Sequence, residues 1–282
     1  MHRYQCRAVR HVLDHPNAML WLDVGLGKTV ISLSAILDRL DSLVAFGTLV
    51  IAPKRVCRMV WRQEARAWAH TRGLTFSLVH GNRRERHYAL RKPADIYLVN
   101  YDNLPWLVDE IIAIWLSRGE YPPFQTIIYD EVSKLKDSTG VRSTALQRIL
   151  PYFPYRVGLT GTPASNGYID LFGQYLAVDG GARLGTSYTE YLDEFFVKEG
   201  YRYRLRVGAE EEIKARIADI TLCMTQEEYL PFLKKPVIND VWVELPAKAR
   251  AQYVQLEKEM FFELDQGGEI EVFNQAALLN KC

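Results

Sequence analysis

The chain of 282 residues has no uncharged apolar run of about 18 residues, so no segment reads as a membrane-spanning helix. Its first residues, Met-His-Arg-Tyr-Gln, lack the apolar core of a signal peptide. Cysteine is scarce: Cys6, Cys57, Cys223 and Cys282 are scattered, no pair has metal-ligand spacing, and the six histidines form no cluster near them. That argues against a zinc module or a disulfide scaffold and points to reduced thiols in a cytoplasmic protein. Excess charge is missing too. A net charge of +1 excludes a globally basic nucleic-acid binder, so any such contact has to come from local patches. There is no internal repeat and no low-complexity stretch. What remains, 48% apolar and 24% charged residues, is enough for a large globular core.

The core pattern alternates. Residues 2–14 carry Tyr4, Val9, Val12 and Leu13 at helical spacing and end at the turn Asp14-His15-Pro16-Asn17. Short apolar runs at 18–22, 48–52, 75–80, 95–100, 125–129 and 156–159 read as strands, and the segments between them read as helices. Strictly alternating strands and helices predict an α/β fold, a doubly wound and mostly parallel sheet. After Gly180-Gly181 the pattern turns mixed and mostly helical to residue 236. Residues 237–245 then alternate like one more strand of the sheet, and Pro246 opens a helix.

Ligands of such sheets sit beyond the carboxyl ends of the strands. Four polar motifs fall there. The first is Asp23-Val-Gly-Leu-Gly-Lys-Thr29, a glycine turn between a strand and a helix. Gly25 and Gly27 allow backbone N–H groups to converge on an anion, and the helix start adds its dipole. This is the context of a phosphate-binding loop, in which Lys28 reaches the β- and γ-phosphates and the Thr29 hydroxyl holds magnesium. The others are Pro53-Lys54-Arg55, the acidic pair Asp130-Glu131, and Thr160-Gly161-Thr162-Pro163. Beside a phosphate loop, Asp130 suits the magnesium and Glu131 suits the attacking water.

Other features have plainer readings. Trp61 and Trp68 read as core residues, and Arg58, Arg62 and Arg66, spaced by four, lie on a different side of their helix. Arg83, Arg84, Arg86, Arg91 and Lys92 read as a solvated face. The run Lys198–Arg206 interleaves tyrosine with arginine, which suits nucleic acid and a strand pair equally.

Taken together, the motifs resemble the Swi/Snf-type ATPases of helicase superfamily two, specifically their first RecA-like lobe. Tyr4-Gln5 resembles the adenine-contacting Gln motif, and Asp23 to Thr29 resembles motif I. Leu49-Val-Ile-Ala-Pro53 with Trp61 and Glu64 resembles motif Ia, and Leu98-Val-Asn-Tyr101 resembles motif Ib. Asp130-Glu131-Val-Ser133 with Lys134 and Lys136 resembles motif II. Leu159-Thr-Gly-Thr-Pro163 with Asn166 resembles motif III. Residues 4 to about 177 match well, and 237–282 loosely. Ser133 departs from the family's histidine, a position that helps couple motif II to motif III.

The resemblance implies ATP and Mg2+ as cofactors. It implies nucleotide contacts from Gln5, Asp23, Gly25, Leu26, Gly27, Lys28, Thr29 and Val30, and metal contacts from Thr29 and Asp130. Catalytic roles fall to Lys28, Asp130 and Glu131, and coupling to Thr160, Gly161 and Thr162. It implies duplex DNA as partner, met through its phosphate backbone by Lys54, Arg55, Asn100 and Lys136. The expected organisation is a RecA-like lobe at 1–180, an inserted helical subdomain at 181–236, and at 237–282 a last strand and helix. These lead towards a second RecA-like lobe, expected to be missing from this chain together with its arginine finger. Arg142 and Arg156 are the nearest replacements by sequence: Arg156 begins its strand at the end opposite the nucleotide edge, the sequence leaves the direction of Arg142 open, and neither is a convincing substitute. The compact form suits a bacterial or phage member. Hydrolysis coupled to movement on duplex DNA is the leading function. The alternatives are a nucleotide-gated binding module without turnover of its own and a small-molecule P-loop kinase.

Overall fold

Apolar runs of about five residues build the frame. The computed structural model describes residues 1–200 and 202–230, a few positions between 244 and 254, and the backbone of 261–264 and 268–271. Helix α1 (Arg3–Asp14) leads into β1 (Asn17–Leu22), α2 (Lys28–Asp41) and β2 (Thr48–Ala52). After a π-helical turn (Val56–Val60) come α3 (Trp61–Ala67), β3 (Phe76–Leu78), α4 (Arg83–Arg91), β4 (Ile96–Asn100) and α5 (Leu104–Ile114). Then follow β5 (Thr126–Asp130), α6 (Val141–Gln147), β6 (Tyr155–Thr160) and α7 (Leu171–Asp179). The chain continues through α8 (Tyr188–Phe195), β7 (Phe196–Glu199), β8 (Arg202–Leu205), α9 (Ala209–Ile217), β9 (Thr221–Met224) and α10 (Gln226–Tyr229).

Seven strands form one sheet in the order β3-β4-β2-β5-β6-β1-β9, and every pairing in it is parallel. Alternate residues of each strand face opposite sides, so the core has two halves. Ala18, Leu20, Leu22, Val50 and Ala52 pack with α1, α2 and α3 on one face. Met19, Leu49, Ile51, Tyr97 and Tyr129 pack with α5, α7 and α9 on the other. Burial on both faces explains why β2 and β4 are apolar with so little alternation. Helix starts follow local chemistry: Asn82 and Glu85 form a capping box on α4, and Ser187 caps α8.

The structure departs from the sequence expectations after residue 180. Stretch 181–236 does hold helices α8 and α9. It also holds the antiparallel pair β7–β8 and the edge strand β9, which joins the main sheet beside β1. Tyr191, Phe195, Ile213 and Ile217 belong to the same core half as Tyr129, so these elements cover the sheet. Four residues, Thr221-Leu-Cys-Met224, are too short a run to stand out beside a helical pattern. The strand expected at 237–245 lies outside the described residues except for Glu244. The helix expected from Pro246 is described at only a few positions.

Two compact units are distinguished, Met1–Leu233 and Lys234–Cys282. In the second, β10 (Phe261–Leu264) pairs antiparallel with β11 (Gly268–Glu271). Among the described residues no helix is long and apolar enough to cross a membrane, and Cys6, Cys57 and Cys223 are free thiols.

Candidate active site

Strand order decides which motifs meet. β1, β6 and β5 are neighbours, with Trp21 opposite Thr160 and Asp130 opposite Leu159. Their carboxyl ends therefore place the loop after Leu22, the Thr160 turn and the Asp130-Glu131 pair side by side.

In the loop, Gly25 and Gly27 have φ of 87° and 84°, the left-handed region that side chains resist. A Cβ on Gly27 would also lie 2.5 Å from Gln5 Nε2. The N–H groups of Gly25, Gly27, Lys28 and Thr29 find no acceptor among the described residues. They form an anion-seeking nest at the start of α2. The Lys28 ammonium is satisfied by two carbonyls instead, Leu22 O at 2.7 Å and Asp23 O at 3.3 Å. Burial lowers its pKa, while Glu131, Asp130 and Asp23 oppose that shift.

The acidic pair is held from several sides. Trp61, wholly buried, donates its indole N–H to Asp130 Oδ2 at 2.9 Å. Burial raises the Asp130 pKa, against the Trp61 hydrogen bond and the Lys28 charge. Glu131 sits at φ 65° and ψ 62°, a left-handed conformation that costs about 1–3 kcal/mol in a non-glycine residue. The buried Tyr101 hydroxyl meets that turn, donating at 3.1 Å to both Asp130 O and Glu131 O. Glu131 Oε1 accepts from Thr160 Oγ1 at 2.9 Å and from Ser133 Oγ at 2.5 Å. Ser133, standing in for the histidine, thus bonds the same carboxylate as motif III does. Thr160 Oγ1 in turn accepts the Thr162 N–H at 3.1 Å, and a Cβ on Gly161 would lie 3.5 Å from Lys28 Nζ.

Gln5 is buried over the loop. Its Oε1 caps α1 by accepting the His2 N–H at 2.8 Å, and its Nε2 reaches Leu26 O at 3.4 Å. Opposite it, Gln226 donates its N–H to Asp23 Oδ2 at 2.9 Å and its side-chain amide to Val24 O at 2.5 Å. The Tyr229 ring packs on Tyr4, with centroids 5.2 Å apart. The Leu26 side chain joins the core, whereas the buried Val30 side chain lies against the loop, where a Cβ on Gly27 would come within 3.1 Å of its Cγ1.

Residues 4–177 match the SNF2-related domain family. The chain belongs to that family. Protein p41 of Acyrthosiphon pisum secondary endosymbiont phage 1 is 37% identical over 291 residues, covering 97% of this chain and 60% of that protein. The uncharacterized ATP-dependent helicase MG018 of Mycoplasma genitalium is 24% identical over 92% of this chain, which spans 23% of that protein. Among solved structures, the SWI2/SNF2 ATPase core domain of Sulfolobus solfataricus matches with a TM-score of 0.63 at 25% identity, over 90% of this chain and 50% of that one. The same core in complex with dsDNA gives 0.66 at 23%, over 91% and 52%, a likeness of fold. This is a helicase-type SNF2 ATPase fold, and the chain spans less than two thirds of each relative.

Within this SNF2-related domain, the residues expected at DNA divide. Lys54 and Arg55 are exposed and share a hollow of about 770 Å³ with Arg58 and Met59. Asn100 is 7% exposed, and its amide is occupied by Asp102 and Asn103. It braces the turn after β4 and is not presented to a ligand. Lys136 pairs with the buried Asp170 at 3.3 Å. Asp170 also accepts from Ser165 and from the Asn166 N–H, so Lys136 ties the loop after motif II to the turn after motif III. The two arginines weighed as replacements for an arginine finger both have partners within this chain. Arg156 donates to Asn17 and Leu150 at the amino end of β6, and Arg142 pairs with Asp102. The run at 198–206 is a strand pair: Arg204 bridges Glu199, and Arg206 bridges Glu212.

Proposed function

We propose that this chain is the ATP-binding lobe of a DNA-dependent ATPase that couples hydrolysis to movement on duplex DNA. The observation that carries the reading is the meeting of Lys28, Asp130, Glu131 and Thr160 beside a nest of unpaired N–H groups. The nest and Lys28 bind the phosphates of ATP. Lys28 exchanges its two carbonyl partners for phosphate oxygens, which restores a favourable site for its charge. Asp130 and Thr29 fit a magnesium ion: the carboxylate is fixed through one oxygen, and the hydroxyl has no partner among the described residues. Bound magnesium neutralises charge on the phosphate oxygens. Glu131, held through Oε1, orients a water with its other oxygen and takes its proton. Gln5, buried against the loop, and the neighbouring Tyr4 are assigned to the adenine base.

Transition-state charge on the γ-phosphate calls for another cation, typically an arginine worth about 10³ to 10⁵ in turnover. Arg142 and Arg156 are both engaged elsewhere. We therefore assign that cation to a second lobe, and DNA contact in this one to Lys54 and Arg55. The same engagement of the arginines favours a second reading, a nucleotide-gated binding module that turns nothing over alone. The experiment compares ATP turnover by this chain with that by a form carrying a second SNF2-type lobe, with and without duplex DNA. Turnover that appears only with both lobes and DNA supports the translocase lobe. Nucleotide-dependent DNA binding without turnover in either form supports the module. Equal, DNA-stimulated turnover in both would refute the missing-cation account.

A further inference from the structure

Arg58, Arg62 and Arg66 recur every four residues, and the site described above uses none of them. A spacing of four keeps side chains on one face of a helix. That face connects two hollows. The first, lined by Lys54, Arg55, Arg58 and Met59, opens at the carboxyl edge of the sheet. The second holds about 380 Å³ and lies where α3 ends and β3 begins. Arg62, Arg66, Arg72 and Lys92 rim it, over Ala65, Leu74 and Phe76. From residue 54 to 66 the helical rise gives about 18 Å, about five base pairs of duplex.

None of these cations has an ion-pair partner among the described residues. The carboxylates of the same segments are turned elsewhere: Glu64 accepts from the Trp68 indole and Asp95 from Thr75. Four like charges around one small hollow repel one another unless an anion joins them. In a chain of net charge +1, such a concentration is a local feature. Arginine suits phosphate because its planar fork donates two parallel hydrogen bonds.

We propose that the outer face of α3 is a phosphate track, along which a duplex DNA backbone continues from the Lys54–Arg58 hollow into the pocket of Arg62, Arg66, Arg72 and Lys92. The proposal rests on the DNA-binding reading above and extends it to the opposite end of the sheet. Contacts there are to backbone phosphates, so they add affinity without base preference.

The test measures duplex binding by fluorescence anisotropy across a salt series. Four proteins are compared: the parent, Lys54→Ala, the pair Arg66→Gln with Arg72→Gln, and the pair Arg66→Lys with Arg72→Lys. The glutamine pair is expected to flatten the slope of log affinity against log salt by about 1.8, two contacts at about 0.9 each. It should also weaken binding at least tenfold at low salt. The lysine pair should keep the parent slope. The thermal shift with magnesium-ATP should match the parent in both pairs, which checks the fold. Parent-like binding by the glutamine pair, with weaker binding by Lys54→Ala, overturns the track and leaves the DNA reading standing. A parent that binds no duplex overturns both. A final arm adds inorganic phosphate alone. If the glutamine pair abolishes its stabilising effect yet leaves the DNA slope unchanged, the pocket takes a free anion, and the track is wrong.

Discussion

Thr160 and Glu131, which stand at the ends of neighbouring strands, share one hydrogen bond: Thr160 Oγ1 donates to Glu131 Oε1 at 2.9 Å. Ser133 donates to the same oxygen, so one side of the carboxylate is fixed and the other is left for a water. The turn after β6 thus holds the carboxylate that the proposed mechanism uses as its base.

Two substitutions separate these roles. Glu131→Gln keeps shape but removes the proton acceptor, so ATP binding should persist while turnover in a two-lobed form disappears. Thr160→Val keeps volume but removes a donor to a charged group, a loss of about 1.5–3 kcal/mol. Its turnover should fall at least tenfold with nucleotide affinity little changed. Parent-like kcat in either protein would remove that residue from the mechanism.

Lys28→Ala removes the ammonium facing the nest. For the parent, nucleotide at a hundred times its Kd should stabilise the fold by about 2.7 kcal/mol. Thermal melts with magnesium-ATP should show that gain in the parent and none in the variant. An equal shift in both would place the nucleotide elsewhere.

Asp130 predicts a pH effect. Burial raises its pKa above the ordinary carboxylate value. In the acid window between those two values, the folded state binds a proton that the unfolded chain has released. Stability therefore falls as pH rises through the window and is regained as pH drops. Asp130→Asn keeps an acceptor for Trp61 and carries no charge. Without nucleotide, its melting temperature should exceed the parent's at neutral pH, and the gap should close in acid. Its stabilisation by magnesium-ATP should be lost. A gap that stays constant from neutral to acid pH would show that the carboxylate is not strained by burial.

Gln226→Ala removes the side-chain hydrogen bond to Val24 O and opens the space beside Gly25. Its backbone bond to Asp23 remains. The loop should become more mobile, raising the nucleotide Kd severalfold while leaving the rate at saturation unchanged. Calorimetric titration checks the first and steady-state kinetics the second. An unchanged Kd would reduce Gln226 to a surface contact.

The glycine turn after β1 and the acidic pair at the end of β5 were legible in the sequence because their demands are local. A left-handed turn needs glycine, and an acid at a strand end needs an apolar run before it. The partners that hold them were not. Trp61 reaches Asp130 across 69 residues of chain, and Tyr101 reaches Glu131 across 30. Nothing in their own neighbourhoods marks either as a brace, although a polar-tipped aromatic buried among aliphatic residues is one general signal. Asn100 and Lys136, expected at DNA, have intramolecular partners that the sequence did not show. Each follows a strand at the expected edge, but Asp102, Asn103 and Asp170 claim their polar groups first. Strand β9 escaped notice because four residues carry too little period to outweigh the helical pattern around them.

β9 has a mechanical consequence. It runs beside β1, and the chain leaves it directly into α10, whose first residue is bonded to Asp23 and Val24. A pull on the backbone beyond Leu230 is therefore delivered, through a single helical turn, to the peptide groups of the Asp23–Thr29 loop. Load applied there reaches the same loop to which the proposed function assigns the nucleotide.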